Sequence, residues 1–213
     1  MDRTYIEKHA NQLIFFLAIL IATIVTAAAI GRTRTAEAAK RQEHLAEEVL
    51  RFHVLANSDS QRDQELKLKV RDAVLKWMEG ELPKALDVDE TAGWLRRHTD
   101  ELEEISKKTL LENGSDDTVS AAVTTCYFPD KTYGDVTFPA GNYEALRLEI
   151  GNAKGHNWWC VLYPDLCFLD TTNAVLPDEG KKKLKNVLTE EEYSQITAET
   201  KFRIKWYFWG DDK

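Results

Sequence analysis

Residues 105–128 read ISKKTLLENGSDDTVSAAVTTCYF, and the rhythm of the chain changes inside them. Upstream, Trp94, Leu95, Leu102, Ile105 and Leu110 recur at helical spacing, which predicts a helix over about 89–112 started by Asp89 or Thr91. Asn113-Gly114 ends it, because both residue types accept the left-handed backbone that closes a helix. From Val119 the period is two. Val119, Ala121, Val123, Thr125 and Tyr127 alternate with their neighbours, which predicts a strand with one face on a core. Val136 and Phe138 predict a short strand, Pro139-Ala140-Gly141-Asn142 a turn, and Tyr143–Ile150 another strand. These strands read as an antiparallel meander. Helices are segregated from strands, so the expected class is α+β: a single compact exported domain in which the meander packs with two longer helices.

Working outward, Val49–Ala56 (VLRFHVLA) is a short run of β-branched and aromatic residues and predicts a strand. Asn57-Ser58-Asp59-Ser60 is a turn, and Ser60 or Asp59 caps a helix predicted over 61–80. Leu66, Val70, Ala73, Val74 and Trp77 form its apolar stripe. On the polar arc, Glu65-Lys69 and Asp72-Lys76 are favourable pairs. Lys67 and Arg71 interrupt the apolar arc. Lys67 has Asp63 one turn earlier, whereas Arg71 has no carboxylate at a helical neighbour position. A desolvated guanidinium needs a partner, so Arg71 is expected to find one in the tertiary fold, with Asp59 the first candidate. Gly151–Asn157 reads as a flexible loop and 178–185 (DEGKKKLK) as a solvated connection. Thr189, with Glu192 at capping-box spacing, starts a short helix through Gln195, and Thr200–Trp209 closes the domain as a last strand. His53, isolated in its strand, reads as structural.

The N-terminus is a separate object. Residues 13–30 (LIFFLAILIATIVTAAAI) carry no charge and only two polar side chains, Thr23 and Thr26. That run is near the length that crosses hydrocarbon and long for a signal-peptide core. A cleaved signal and a retained anchor both remain open. The expected division is 1–31 signal peptide or anchor, 32–48 (RTRTAEAAKRQEHLAEE) a helical stalk, and 49–213 the domain. Asp2, Arg3, Glu7 and Lys8 cancel, so the whole net charge of -8 belongs to the part beyond the apolar run. With 28 basic against 36 acidic residues, the chain as a whole is a poor general nucleic-acid binder. Its 43% hydrophobic content excludes disorder. Beyond the apolar run, the chain is long enough to fold on its own core without a metal or cofactor.

The densest chemistry lies in Gly155–Phe168 (GHNWWCVLYPDLCF). Cys160 with His156 nearby invites a thiol-hydrolase reading, but a loop of this length supplies no orienting third group. A disulfide between Cys160 and Cys167 fits better: the compartment is oxidising, and Pro164 favours the turn that brings the two sulfurs together. Cys126 is then left as a buried free thiol. Zinc is disfavoured, since the paired spacing of structural sites is missing. Trp158 and Trp159 are adjacent, so one is core and the other is open to presentation toward a partner. No phosphate loop, H-E-x-x-H or G-x-S-x-G occurs.

Two blocks resemble a known family. Arg51–Ser60 (RFHVLANSDS) followed by Asp63-Gln64, Leu66-Lys67 and Lys69–Asp72 is similar to the N-terminal signature of the stage II sporulation protein R family. Tyr127-Phe128-Pro129, Tyr133-Gly134, Pro139-Ala140-Gly141, Tyr143 and Asn157–Pro164 with Leu166-Cys167-Phe168 resemble its C-terminal signature. The likeness covers about 49–209 and departs at Asp165, where the family is expected to carry a second proline. The resemblance implies a signalling protein, not an enzyme, exported from the forespore into the space between two membranes. There it would trigger a membrane-embedded aspartic protease that processes the precursor of the mother-cell sigma factor. The candidate contact residues are Asn57, Asp59, Lys67 and Arg71 on the turn and helix, with His156, Asn157, Trp158 and Trp159 on the loop. A secreted wall hydrolase and a wall-binding module presenting Trp158 or Trp159 are the competing classes.

Overall fold

The strand Leu50–Leu55 (β1) is buried at all six positions and lies inside a mixed sheet. The computed structural model describes residues 3–168 and 176–198. The expected strand at 200–209 lies outside them. The chain divides into two units, residues 1–41 and 42–213.

Helix α1 spans Arg3–Glu47. Its apolar window reaches a mean hydropathy of 2.6 with none of it buried, so it is long and apolar enough to cross a membrane.

In the second unit, β1 leads to α2 (Gln61–Glu81), α3 (Val88–Arg97) and α4 (Thr99–Glu112). Then come β2 (Val119–Phe128), the small hairpin β3 (Lys131–Tyr133) with β4 (Val136–Phe138), β5 (Gly141–Ile150) and β6 (Asn157–Tyr163). A 3-10 turn (Leu166–Phe168), α5 (Asp178–Val187) and α6 (Glu190–Ala198) complete it. The main sheet runs β2-β5-β1-β6, with β1 parallel to β5 and the other pairs antiparallel. The fold is therefore α+β as expected, but the meander is corrected. A strand buried on both faces takes an interior position, and β1 accordingly inserts between β5 and β6.

Two cores follow from the alternation of β1. Phe52 and Val54 face Leu66, Val70, Val74, Leu95, Leu102 and Leu110 of the helices. On the other face, Phe128, Phe138, Tyr143 and Val161 gather with Leu184, Leu188 and Ile196. Each fully buried aliphatic or aromatic side chain is worth about 1.5–3 kcal/mol relative to exposure.

Three further expectations are corrected. The helix over 89–112 is two helices. The His98 ring stacks on Trp94 at 3.9 Å and its Nδ1 lies 2.7 Å from the Trp94 carbonyl, the group that would accept the helical bond from the His98 amide. That amide turns instead to Leu95, and the helix breaks. Its start is set by Asp87, in a capping box with Glu90, rather than by Asp89 or Thr91. The segment 178–185 is helical: Leu184 anchors α5 in the second core while its lysines stay on the surface. The Thr189 cap is as expected, with its hydroxyl and amide both on Glu192.

Candidate functional site

The carboxyl end of β1 runs into the turn Asn57–Ser60, which is knitted to α2 and to the segment 151–157. Ser60 caps α2 through the Asp63 amide (3.1 Å). Asp63 returns the favour, accepting from Ser58 Oγ (2.5 Å) and Asn57 Nδ2 (3.0 Å). The Ser58 hydroxyl and then the Asn57 amide hold the Asp63 carboxyl below its ordinary pKa against the effect of burial. Asn57 Oδ1 accepts from the backbone (2.9 Å) and side chain (3.1 Å) of Asn152. The Gly155 amide donates to Ala56 and that of Lys154 to Asn57. Two glycines make this approach possible. Gly151 sits at φ +57 against the Asn57 side chain, and a Cβ at Gly155 would collide with the Ser58 carbonyl.

Asp59 projects from the turn. Its Oδ1 accepts from the His156 amide and lies 2.6 Å from His156 Nδ1. These bonds lower the Asp59 pKa. The pair is open to solvent, with side chains 55% and 82% exposed. With Nδ1 committed to Asp59, a neutral His156 ring carries its acceptor at Nε2.

The expected Asp59–Arg71 pairing is thus corrected: His156 has taken the carboxylate. Arg71 pairs with Asp72 (2.6 Å), and its guanidinium lies 5.0 Å from the Trp158 ring centroid. The stacking disperses the charge over a π face, and Asp72 supplies the counter-ion from the adjacent helical position. Lys67 does not pair with Asp63. It is buried and donates to Gln64 Oε1 (2.5 Å) and the His156 carbonyl (2.9 Å). Burial first, and then the nearby Arg71, push its pKa down. The polar-arc pairs are also replaced: Lys69 reaches Asn113, and Glu65 accepts from Gln61.

Of the expected contact residues, Asn57, Asp59, Lys67 and His156 meet in one network, with Arg71 and Trp158 beside it. Asn157 opens β6 opposite Leu55. Trp159 does not join them. It projects from the opposite face of the sheet, stacks on its cross-strand neighbour His53 (4.9 Å between centroids) and meets Phe128 edge-on (4.7 Å), while Trp158 packs edge-on against Phe52. Both indoles are half-buried, so neither is the freely presented ring foreseen for one of them.

Cys160 is bonded to Cys167, with Cα atoms 5.6 Å apart, which removes the thiolate a hydrolase would need. Cys126 is a free thiol, half-buried rather than buried. Among the described residues no cluster of His, Cys, Asp and Glu is arranged to hold a metal.

Sequence reasoning passed over Ser58 and Gln64, which bond within the turn and α2, and Asn152, whose role arises only when the 151–157 segment arrives. It also passed over Arg51. This side chain is fully buried, donates from Nε to the Cys160 carbonyl (3.1 Å) and lies over Phe128, Phe138 and Tyr143 at 4.4, 5.2 and 5.1 Å.

The family model described as stage II sporulation protein R matches residues 46–173. The chain is 35% identical over 187 residues to the stage II sporulation protein R of Bacillus subtilis (strain 168), covering 85% of this chain and 83% of that protein. No solved structure matches. The turn–loop network and the disulfide fall inside the matched region, and the chain belongs to the stage II sporulation protein R family.

Proposed function

We propose that this chain is an exported, non-enzymatic signal of endospore formation. Made in the forespore, it acts in the space between the two membranes and activates a membrane-embedded aspartic protease that processes the mother-cell sigma-factor precursor. Family membership supports the sporulation role, and α1 is compatible with export or anchoring. One observation carries the choice of surface. The exposed Asp59–His156 pair is anchored from behind by buried Lys67 and by the Asn57–Asn152 and Gly155–Ala56 bonds. Such a tip offers hydrogen-bonding groups with little ordering entropy left to lose on binding. Arg71, stacked on Trp158, extends the same patch.

The domain would dock on the receptor's extracytoplasmic face and favour its active state. A ligand shifts a two-state equilibrium only by its differential affinity for the states, and a coupling of about 1–3 kcal/mol corresponds to roughly 5–150-fold. The test is co-expression of this chain, the protease and the sigma precursor in a non-sporulating host, with processing followed by blot. Processing that requires this chain is expected, and Arg71→Ala or His156→Ala should abolish it with secretion and far-UV circular dichroism unchanged. Full processing by both variants would reject this surface. No processing with all three proteins correctly localised would reject the signalling role.

A further inference from the structure

The two edges of the main sheet are treated differently. On the β6 edge, Tyr133 Oη donates to the Trp159 carbonyl (3.4 Å), Lys67 to the His156 carbonyl, and the disulfide ties the strand to the following turn. The β2 edge is ten residues long, pairs with β5 in unbroken register and contains no charge, proline or bulge. Long, flat, uncharged edges are what soluble proteins avoid unless something pairs with them.

Antiparallel ladders alternate residues that bond inward with residues whose N–H and C=O point outward. The Ala121 amide donates sideways to Glu103 Oε1 (3.0 Å), away from β5, which fixes the parity. Val123, Thr125 and Tyr127 therefore share its outward direction. Ala121 is already occupied at one end of this row. At the other end, position 129 is Pro, which has no amide.

We propose that two copies of the chain join edge to edge through β2, antiparallel, about a two-fold axis at Thr125. In that register Thr125 exchanges bonds with itself, Val123 pairs with Tyr127 of the second copy, and the occupied Ala121 falls opposite Pro129. The outward amides of Val123, Thr125 and Tyr127 are all used, and the ladder stops at the Ala121–Pro129 pair, where donors run out. The side-chain pairs are favourable types, Thr with Thr and aromatic with β-branched. Tyr127, 64% exposed on the single copy, is covered. Because 119–128 carries no charge, two copies of an acidic chain meet here without like charges opposite one another. This self-complementarity selects a second copy over a strand from another protein.

The register also places Cys126 opposite Thr124 of the second copy in a non-hydrogen-bonded pair, where Cα atoms stand about 4.5 Å apart, within disulfide reach. The test is oxidative cross-linking of the full chain in detergent micelles with copper–phenanthroline, read on a non-reducing gel. Thr124→Cys, alongside native Cys126, should give several-fold more covalent dimer than the unmodified chain or Ala122→Cys. Adding Tyr127→Lys to Thr124→Cys should return the yield to the unmodified level. Equal yields from all variants, dimer from Cys126 alone, or persistent monomer would overturn the proposal; monomer would leave the edge to another partner. The assay does not involve the protease, so it stands apart from the signalling role.

Discussion

His53 is only 3% exposed, with its ring packed against both Trp159 and Phe128, and neither ring nitrogen has a hydrogen-bond partner among the described residues. Burial first, then the charges of Arg147 and Arg51, lower its pKa from 6.5 to about 4. The folded state keeps the ring neutral, while the unfolded chain binds a proton below pH 6.5. Stability is therefore fully present above the unfolded pKa and is lost as pH falls toward the folded one. At 1.36 kcal/mol per unit, the shift is worth about 3 kcal/mol in all, of which about 2 to 3 kcal/mol should be lost between pH 7 and pH 4.5. The perturbation is His53→Phe, which keeps the stack and removes the titration. Carboxylates also titrate in this range, so the informative quantity is the difference between the two proteins. Urea unfolding of the full chain in micelles, disulfide intact, should give a wild-type stability that falls more steeply with acid than the variant's, by that amount. Parallel pH profiles would refute the reasoning and imply that the ring is protonated or hydrated in the fold.

Arg51→Met should change stability by less than about 1 kcal/mol or raise it, because a buried charge with no carboxylate beside it among the described residues is readily replaced by an apolar chain. Arg51→Lys should lose about 2 kcal/mol in the same unfolding assay, since an ammonium cannot spread over three rings and is more strongly hydrated. Gly155→Ala should lose about 1–3 kcal/mol through the collision with Ser58, and carboxyl NMR titration should show the Asp59 pKa rising toward its ordinary value as His156 is displaced. Replacing Cys160 and Cys167 by Ser opens a loop with a sequence separation of 7 and should reduce stability by about 2–3 kcal/mol, equally for either single variant.

Local features were legible because their causes are local. The Ser60 cap, the apolar stripe of α2, the Asn113-Gly114 stop and the alternation of β2 over its first half each depend on residues within a turn or two, whereas Thr125 and Tyr127, expected on the core face, are exposed and Phe128 is buried instead. The Cys160–Cys167 bond was legible from compartment and spacing. Sheet order was not. In Val49–Ala56, Arg51 and His53 alternate with Leu50, Phe52 and Val54, which disguised a strand buried on both faces. β6 was hidden because Trp158–Leu162 was read for chemistry rather than for period. α5 has too few apolar residues to show a period, and the break at His98 comes from a ring stack that no propensity encodes. In the candidate site, the phase of α2 placed Arg71 on the apolar arc. It could not reveal that His156 would reach Asp59 first, because that contact spans 97 residues.

The architecture separates what carries stability from what lies exposed at the proposed contact surface. Along β1, Phe52 and Val54 serve the helical core while Arg51 and His53 enter an aromatic cluster that tolerates them through ring faces rather than counter-ions. The ladder that buries His53 against Trp159 also pairs Leu55 with Asn157 and so fixes the start of β6. The Asp59–His156 tip is one step beyond that ladder. Its own Asp59–His156 contact is solvent-exposed and contributes little to folding. Its position comes instead from buried Lys67 and from backbone bonds of the 151–157 segment to Ala56 and Asn57. Side chains at the tip are consequently free to be chosen for a partner, whereas Gly151, Gly155 and Lys67 are constrained by the framework that holds it. A loss of signalling at His156 with stability intact, set against a loss of stability at Gly155, would distinguish these two kinds of residue.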